Sequence, residues 1–214
     1  MKLLITAFEP FGGEAVNPAQ LAVEALPDRI GAAQLVKLAV PVEFGRSAAV
    51  VCAAIDAHRP DAVLCVGQAG GRAAITPERV AINCDDARIP DNAGAQPVDA
   101  PVAADGPAAY FATLPVKAMA AAIRQAGLPA ALSNTAGTYV CNHLMYAVLH
   151  HLAQRSPQVR AGFLHLPYMT EQTVGKPAGT PGLSLEALVQ GLTAAVTAIA
   201  RNDADLHAAE GAEC

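Results

Sequence analysis

Along the chain, short apolar runs alternate with stretches in which apolar residues recur every three or four positions. Residues 2–8 (KLLITAF) form a run closed by Pro10 and Gly12, and residues 34–40 (QLVKLAV) and 62–67 (AVLCVG) repeat it. Runs of this length, rich in Val and Leu, predict strands buried on both faces. Between the second and third, Phe44, Ala48, Val51, Cys52 and Ile55 recur at helical spacing. That helix should stop before Pro60, because proline disfavours helical geometry in the residue ahead of it. Residues 79–84 (RVAINC) predict a further strand, and Val116, Met119, Ala120 and Ile123 a helix ending near Gly127. Residues 130–133 predict a brief strand, and Leu144, Met145, Val148 and Leu152 the next helix. The last strand falls at 161–166 (AGFLHL), and Leu185, Leu188, Leu192, Val196 and Ile199 mark the closing helix.

Strands that alternate with helices predict the α/β class, a three-layer α/β/α sandwich around a mostly parallel, twisted sheet. Nothing in the sequence repeats, and no linker is poor enough in hydrophobics to split it. One domain is therefore expected over residues 1–201, with residues 202–214 a polar C-terminal tail, expected to fray. The irregular stretch 85–106 (DDARIPDNAGAQPVDAPVAADG) is long for a compact domain. Such loops are usually functional, part of an interface or disordered.

Composition narrows the partners. The 214 residues are 53% hydrophobic, largely alanine and small aliphatics, and only 15% are charged. That is well under the usual quarter, and a chain with so little charge is expected to cover part of its surface in a homo-oligomer. A net charge of −5 with no basic run argues against nucleic acid. The opening MKLLITAFEPFGG is too short in apolar residues for a signal peptide, and no run approaches the length of a membrane span. The cysteines at 52, 65, 84, 141 and 214 are odd in number and lack a CxxC pair. They fit a reducing, cytoplasmic setting, with neither a disulfide framework nor a zinc site.

In open α/β sheets, ligands collect at the carboxyl ends of the strands. FEPFGG follows the first strand, GQAGG (67–71) the third and SNTAGTYVCNH (133–143) the short one at 130, while His165 ends the last. Cys52 and Cys65 lie on apolar stretches and read as core. Cys141 opens a helix behind a small, polar loop, with Thr138 as candidate N-cap. A helix N-terminus lowers a thiol's pKa, and its free N–H groups can hold an oxyanion. Taken alone, Cys141 reads first as a buried thiol that continues the Leu144, Met145 and Val148 stripe. A thiol nucleophile needs a histidine within hydrogen-bond reach. His143 points elsewhere on the helix, and His150 lies about 13 Å further along it. His151 is farther still, His58 sits at a helix end and His207 in the tail, which leaves His165 as the partner. An acid must orient that imidazole; Glu78, Asp85, Asp86 and Asp91 all lie near the 79–84 strand, and spacing does not choose among them. GQAGG lacks the residues of a phosphate loop and reads as a tight turn.

Taken together, TAFEPFGGEAVNP, GQAGGRAAITPERVAINCDDARIPDNAGAQP, SNTAGTYVCNHLMY and GFLHLPYMTEQ resemble the bacterial type I pyroglutamyl peptidases, or pyrrolidone-carboxylate peptidases. The likeness keeps the same order through most of residues 1–172. It implies a cytoplasmic, typically tetrameric enzyme with an α/β/α fold that removes N-terminal pyroglutamate from peptides without a metal or cofactor. It also implies a Cys141, His165 and Glu78 triad and a substrate pocket containing Phe8 and Phe11, with Gln68, Arg88, Ile89, Tyr139 and Val140 near the substrate or the oxyanion. Ala7 stands where the family usually has Gly, and Tyr139 where it often has Phe. Glu78 precedes its strand whereas Cys141 and His165 follow theirs. For the three to meet, the 79–84 strand should run antiparallel to its neighbours or its leading loop should fold back. Two other readings compete: a nucleoside phosphorylase or hydrolase that uses GQAGG, and a non-catalytic small-molecule binding protein.

Overall fold

The computed structural model describes residues 1–211. Its strands are β1 (Lys2–Phe8), β2 (Arg29–Ile30), β3 (Ala33–Val40), β4 (Ala62–Gln68), β5 (Thr76–Glu78), β6 (Val80–Ile82), β7 (Ala109–Phe111), β8 (Arg160–Leu166), β9 (Tyr168–Met169) and β10 (Gly182–Leu183). Its helices are α1 (Pro18–Ala25), α2 (Arg46–His58), α3 (Val116–Gln125), α4 (Val140–Arg155) and α5 (Leu185–Arg201). Six strands form the main sheet in the order β2-β3-β1-β4-β8-β5. β3, β1, β4 and β8 run parallel, and the two edges, β2 and β5, run antiparallel to their neighbours.

Strand alternation divides the apolar side chains between two cores. Leu3, Ile5 and Ala7 of β1, Leu64 and Val66 of β4, and Leu164 and Leu166 of β8 pack on the side covered by α1, α3 and α5. Leu4, Phe8, Val63, Cys65 and Phe163 face α2 and α4. The result is the three-layer arrangement that the alternating pattern predicts.

Four segments differ from the sequence expectation. Helix α1 is not predicted by periodicity; its signal is Asn17-Pro18, where the Asn17 side chain accepts from the Ala19 N–H at 3.0 Å and proline occupies the first turn. The run at 79–84 is not a strand of the main sheet. Its middle forms β6, which pairs with β7 in a separate two-stranded sheet, while the edge strand β5 lies just before it. Residues 130–133 make only two isolated bridges, Ala130 with Ile75 and Ser133 with Glu78. The segment after α5 has no regular structure, yet as far as Glu210 it makes contacts with α3. Asp205 accepts from the N–H groups of Lys117 and Ala118, both at 3.0 Å, and so caps α3, whose own cap position is Pro115. Lys117 Nζ donates to the Ala208 carbonyl at 2.7 Å, and Arg124 pairs with Glu210. An uncapped helix end and nearby cations attract an acidic segment. Cys214 lies outside the described residues.

Candidate active site

The α4-facing side of the sheet collects the candidate chemistry. On β8, Phe163 and His165 point to that side, as do Thr76 and Glu78 on β5, since directly opposed residues of an antiparallel pair share a face. The register sets Thr76 opposite His165 and Glu78 opposite Phe163. Glu78 thus reaches the end of β8 because β5 runs antiparallel, which meets the geometric requirement raised by the sequence through strand 76–78. His165 Nδ1 lies 2.7 Å from Glu78 Oε1, and both side chains are buried. A carboxylate only accepts, so Nδ1 carries the proton and Nε2 is left as an acceptor.

Gly67 of β4 is the parallel neighbour of His165. A Cβ placed on Gly67 would lie 3.1 Å from Cys141 Sγ and 2.8 Å from the Phe163 ring. The thiol therefore sits directly over Gly67, one strand away from His165. Glycine is required there by close approach, for its backbone angle is ordinary. No hydrogen bond to Cys141 Sγ is formed among the described residues.

Three consecutive residues of α4 point three ways, as successive helical positions about 100° apart must. Cys141 faces the sheet. Asn142 accepts from the Ile82 N–H and donates to the Ile82 and Cys84 carbonyls at 2.9–3.0 Å, which fastens the helix to β6. His143 binds Asp85 through Nδ1 at 2.7 Å and accepts from the Gly45 N–H through Nε2 at 2.9 Å. The N-cap is Tyr139, without a side-chain bond; Thr138 Oγ1 donates instead to the Asp86 carbonyl at 2.7 Å. The N–H groups of Val140, Cys141 and Asn142 thus have no intrahelical acceptor and no side-chain cap.

Burial governs the charges. Desolvation, followed by the negative charge of Glu78, pushes the Cys141 thiol up to about 12, and Arg72 acts against them. Burial therefore opposes the lowering that a helix N-terminus exerts on the thiol. Desolvation also lowers His165 despite Glu78. For Glu78, desolvation is outweighed by the His165 hydrogen bond, by the charge of that ring once it is protonated, by Ser133 and by Arg72, so its carboxyl stays below the usual value. The resting site holds a neutral thiol, a neutral imidazole and a carboxylate.

Around this centre, Tyr139 packs on Phe11 at 6.3 Å and meets Phe44 edge-on at 5.5 Å, while its hydroxyl donates to the Pro90 carbonyl. Phe11 is half-buried at the turn opened by Gly12 and Gly13, both at positive φ (62° and 81°). Phe8 is 2% exposed and packs on Phe163 at 6.3 Å, so its ring belongs to the floor beneath the site. Val140 is fully buried, Gln68 nearly so, with its Oε1 accepting from Gln172 Nε2 at 3.1 Å, and Arg88 and Ile89 are exposed. In GQAGG, a Cβ on Gly70 would overlap the Tyr168 ring at 2.1 Å, so that turn is packed under an aromatic. A cavity of about 740 Å³ opens at the opposite edge of the sheet beside Met1, Asp61 and Arg160, away from these groups.

The family model described as pyroglutamyl peptidase matches residues 1–202. The chain belongs to the pyroglutamyl peptidase family. It is 62% identical to the pyrrolidone-carboxylate peptidase of Levilactobacillus brevis, over 96% of this chain and all of that one. It is 56% identical to the enzyme of the same name from Streptococcus pyogenes serotype M4, over 99% of each. Among solved structures, pyroglutamyl peptidase I of Bacillus amyloliquefaciens superposes with a TM-score of 0.92 at 47% identity, over 96% of this chain and 99% of that one. A mutant pyrrolidone carboxyl peptidase from the hyperthermophile Pyrococcus furiosus gives 0.88 at 40%, over 94% and 98%.

Sequence reasoning about this pyroglutamyl peptidase misses three side chains. Arg72 bonds Glu78 and Thr76; it lies in a loop, where no periodicity marks it. Asp85 reads from the sequence only as one of four candidate acids, and His143 is set aside there because it points elsewhere on the helix; in the fold the two pair with each other. Their signal, an acid and a histidine in separate motifs, becomes readable only once the fold joins them. Among the described residues, no group of three or more His, Cys, Asp or Glu is placed to hold a metal, and no helix is long and apolar enough to cross a membrane.

Proposed function

We propose that this enzyme removes N-terminal pyroglutamate from peptides by thioester catalysis, with Cys141 as nucleophile, His165 as base and acid, and Glu78 as the group that orients His165. The observation that carries the reading is the buried His165–Glu78 contact at 2.7 Å beside a thiol seated over Gly67, the register neighbour of His165. With thiol and imidazole both neutral at rest, the proton passes from Sγ to Nε2 as the sulfur attacks the pyroglutamyl carbonyl. The uncapped N–H groups of Val140 and Cys141 face the charge that develops on the carbonyl oxygen. Protonated His165 then donates to the leaving amine. It next takes a proton from water, which attacks the thioester and restores the thiol.

Pyroglutamate is a flat, uncharged lactam, whereas an N-terminal glutamate or glutamine brings an ammonium that an apolar pocket desolvates without compensation. Phe11 and Tyr139, with Phe8 beneath and Gln68 and Ile89 alongside, supply apolar walls and few polar groups. Arg88 is exposed near the same loop and is available to the oxyanion or the peptide. The low charge content and the exposed Phe111, Val98 and Val174 support a homo-oligomer, a tetramer on the family resemblance, and the free cysteines suit the cytoplasm. Light scattering reads the oligomeric state.

The test is turnover of a fluorogenic pyroglutamyl amide. Cys141→Ala should abolish it while leaving the melting transition in place, and a thiol blocker should do the same to the native enzyme. Retained turnover in Cys141→Ala, or inhibition by a chelator, would overturn the mechanism.

A further inference from the structure

We propose that Arg72 is a positioning residue for the triad: its guanidinium fixes the Glu78 carboxylate and offsets that carboxylate's charge at His165. The inference rests on the triad reading above. Arg72 Nη1 lies 2.5 Å from Glu78 Oε1 and 2.5 Å from Thr76 Oγ1, and Nη2 donates to the Thr135 carbonyl at 3.0 Å. One side chain thereby joins the GQAGG turn, β5 and the loop that leads to Cys141.

The placement is unusual in one respect. Arginine and carboxylate commonly meet through two parallel hydrogen bonds. Here the guanidinium and the imidazole share a single oxygen, Oε1, while Oε2 is buried with no well-formed hydrogen bond among the described residues. Each donor takes one lone pair of that oxygen, so Arg72 holds the carboxylate in place while offsetting part of the charge it presents to His165. Without Arg72, the whole field of a buried anion would fall on His165 and favour the imidazolium, which cannot accept a proton from the thiol. With it, the orienting hydrogen bond persists and the ring remains basic but neutral.

The charged groups acting on the imidazole are Glu78 from β5 and Arg72 from the preceding loop, and the Cys141 thiol at the start of α4 lies over the adjoining strand. Of these, Glu78 raises the His165 pKa and Arg72 lowers it, in line with the geometry. Arg72 also lowers the Cys141 thiol against burial and Glu78. It therefore favours proton loss from both partners of the transfer. Arg72 is partly open to solvent, with 28% of its side chain exposed, and this screens the effect without removing it.

The experiment compares the pH profile of kcat/KM for wild type, Arg72→Met and Arg72→Lys, together with an NMR titration of the His165 ring in the Cys141→Ala background. Arg72→Met should move the acid limb upward by about one pH unit, a loss of about tenfold on that limb. Arg72→Lys keeps the charge and should restore the limb most of the way. A uniform loss at every pH, or an equal shift in both variants, would overturn the proposal, because a merely structural residue would give the first and a charge-independent one the second. If Arg72→Met does not fold, Arg72→Gln, which retains donors for Thr76 and Thr135, reads the same limb, and an unshifted limb there is equally fatal. Turnover by Cys141→Ala would defeat the triad reading itself. A dead Cys141→Ala with an unshifted Arg72→Met defeats only the role of Arg72.

Discussion

Gly67→Ala tests the geometry of the site with a single methyl group. The added Cβ would lie 2.8 Å from one carbon of the Phe163 ring, 3.0 Å from a second and 3.1 Å from Cys141 Sγ. Carbon atoms in good contact are about 3.7 Å apart, so the ring must retreat by nearly 1 Å. It has little room: Phe163 is fully buried, backed by Phe8 at 6.3 Å and flanked by His165 at 4.7 Å. The displacement therefore passes to the thiol and the imidazole together. Overpacking of this kind costs about 1–3 kcal/mol of stability. A displacement of about 1 Å at reacting groups lowers kcat on the order of 100-fold, equivalent to about 2.7 kcal/mol in the barrier. Gly162→Ala is the control. It too crowds a buried strand glycine, but against Leu114 at 3.2 Å and Ala112 at 3.4 Å, on the face away from the thiol. It should lose stability by a similar or smaller amount and keep kcat. The assay is turnover of a pyroglutamyl amide under saturating substrate, with a urea melt of each variant. The reasoning is refuted if Gly67→Ala keeps more than about a third of wild-type kcat (under about 0.7 kcal/mol of barrier) or if both alanines lower kcat alike.

Acid should weaken the fold in two steps. The folded His165 titrates below its ordinary 6.5, so the unfolded chain binds the proton first; stability is complete above that value and falls as the pH drops toward the folded one. Glu78, held below its ordinary 4.5, adds a second loss as the pH falls from there. Urea midpoints across this range should show both, and His165→Gln should lack the first; a midpoint that rises on acidification would contradict the assignment. His143→Ala removes the Gly45 contact and leaves Asp85, already with one unpartnered oxygen, buried without its donor. It should cost about 3 kcal/mol and raise KM through the loosened 43–45 and 85–91 loops, which a melt and a Michaelis curve would read. Phe8→Ala should behave as a core deletion, losing about 3–5 kcal/mol. Phe11→Ala, at a half-buried ring, should lose far less stability yet lower kcat/KM for pyroglutamyl substrates more than it lowers the thiol's reactivity. Equal stability losses would place both rings in the core.

What the sequence makes legible is whatever repeats along it. The apolar runs at 2–8, 34–40, 62–67 and 161–166 are β1, β3, β4 and β8, because a strand buried on both faces has to be apolar at nearly every position. Short edge elements carry no such demand. Strand β5 has three residues, one of them Pro77 and another the charged Glu78, and it belongs to the main sheet because β8 offers it a free edge. The run at 79–84 is more apolar and is the more obvious strand, yet β8 has only one free edge and β5 occupies it, so β6 pairs with β7. The candidate site divides in the same way. Cys141 and His165 can be singled out by elimination, since each ends or begins an element predicted by periodicity. Choosing Glu78 over Asp85 requires knowing which strand turns back beside His165.

That choice has a physical consequence. Both acids are buried and both hold a histidine Nδ1 at 2.7 Å, Glu78 with His165 and Asp85 with His143. What separates them is the other ring nitrogen. His143 Nε2 is already committed to the Gly45 N–H, so this imidazole braces two loops and has no acceptor left for a thiol. His165 Nε2 has no protein donor among the described residues, and Cys141 lies over the adjoining strand. The two acid–histidine pairs are chemically alike in the sequence. They differ in surroundings because the helix turns His143 away from the sheet two residues after it points Cys141 toward it.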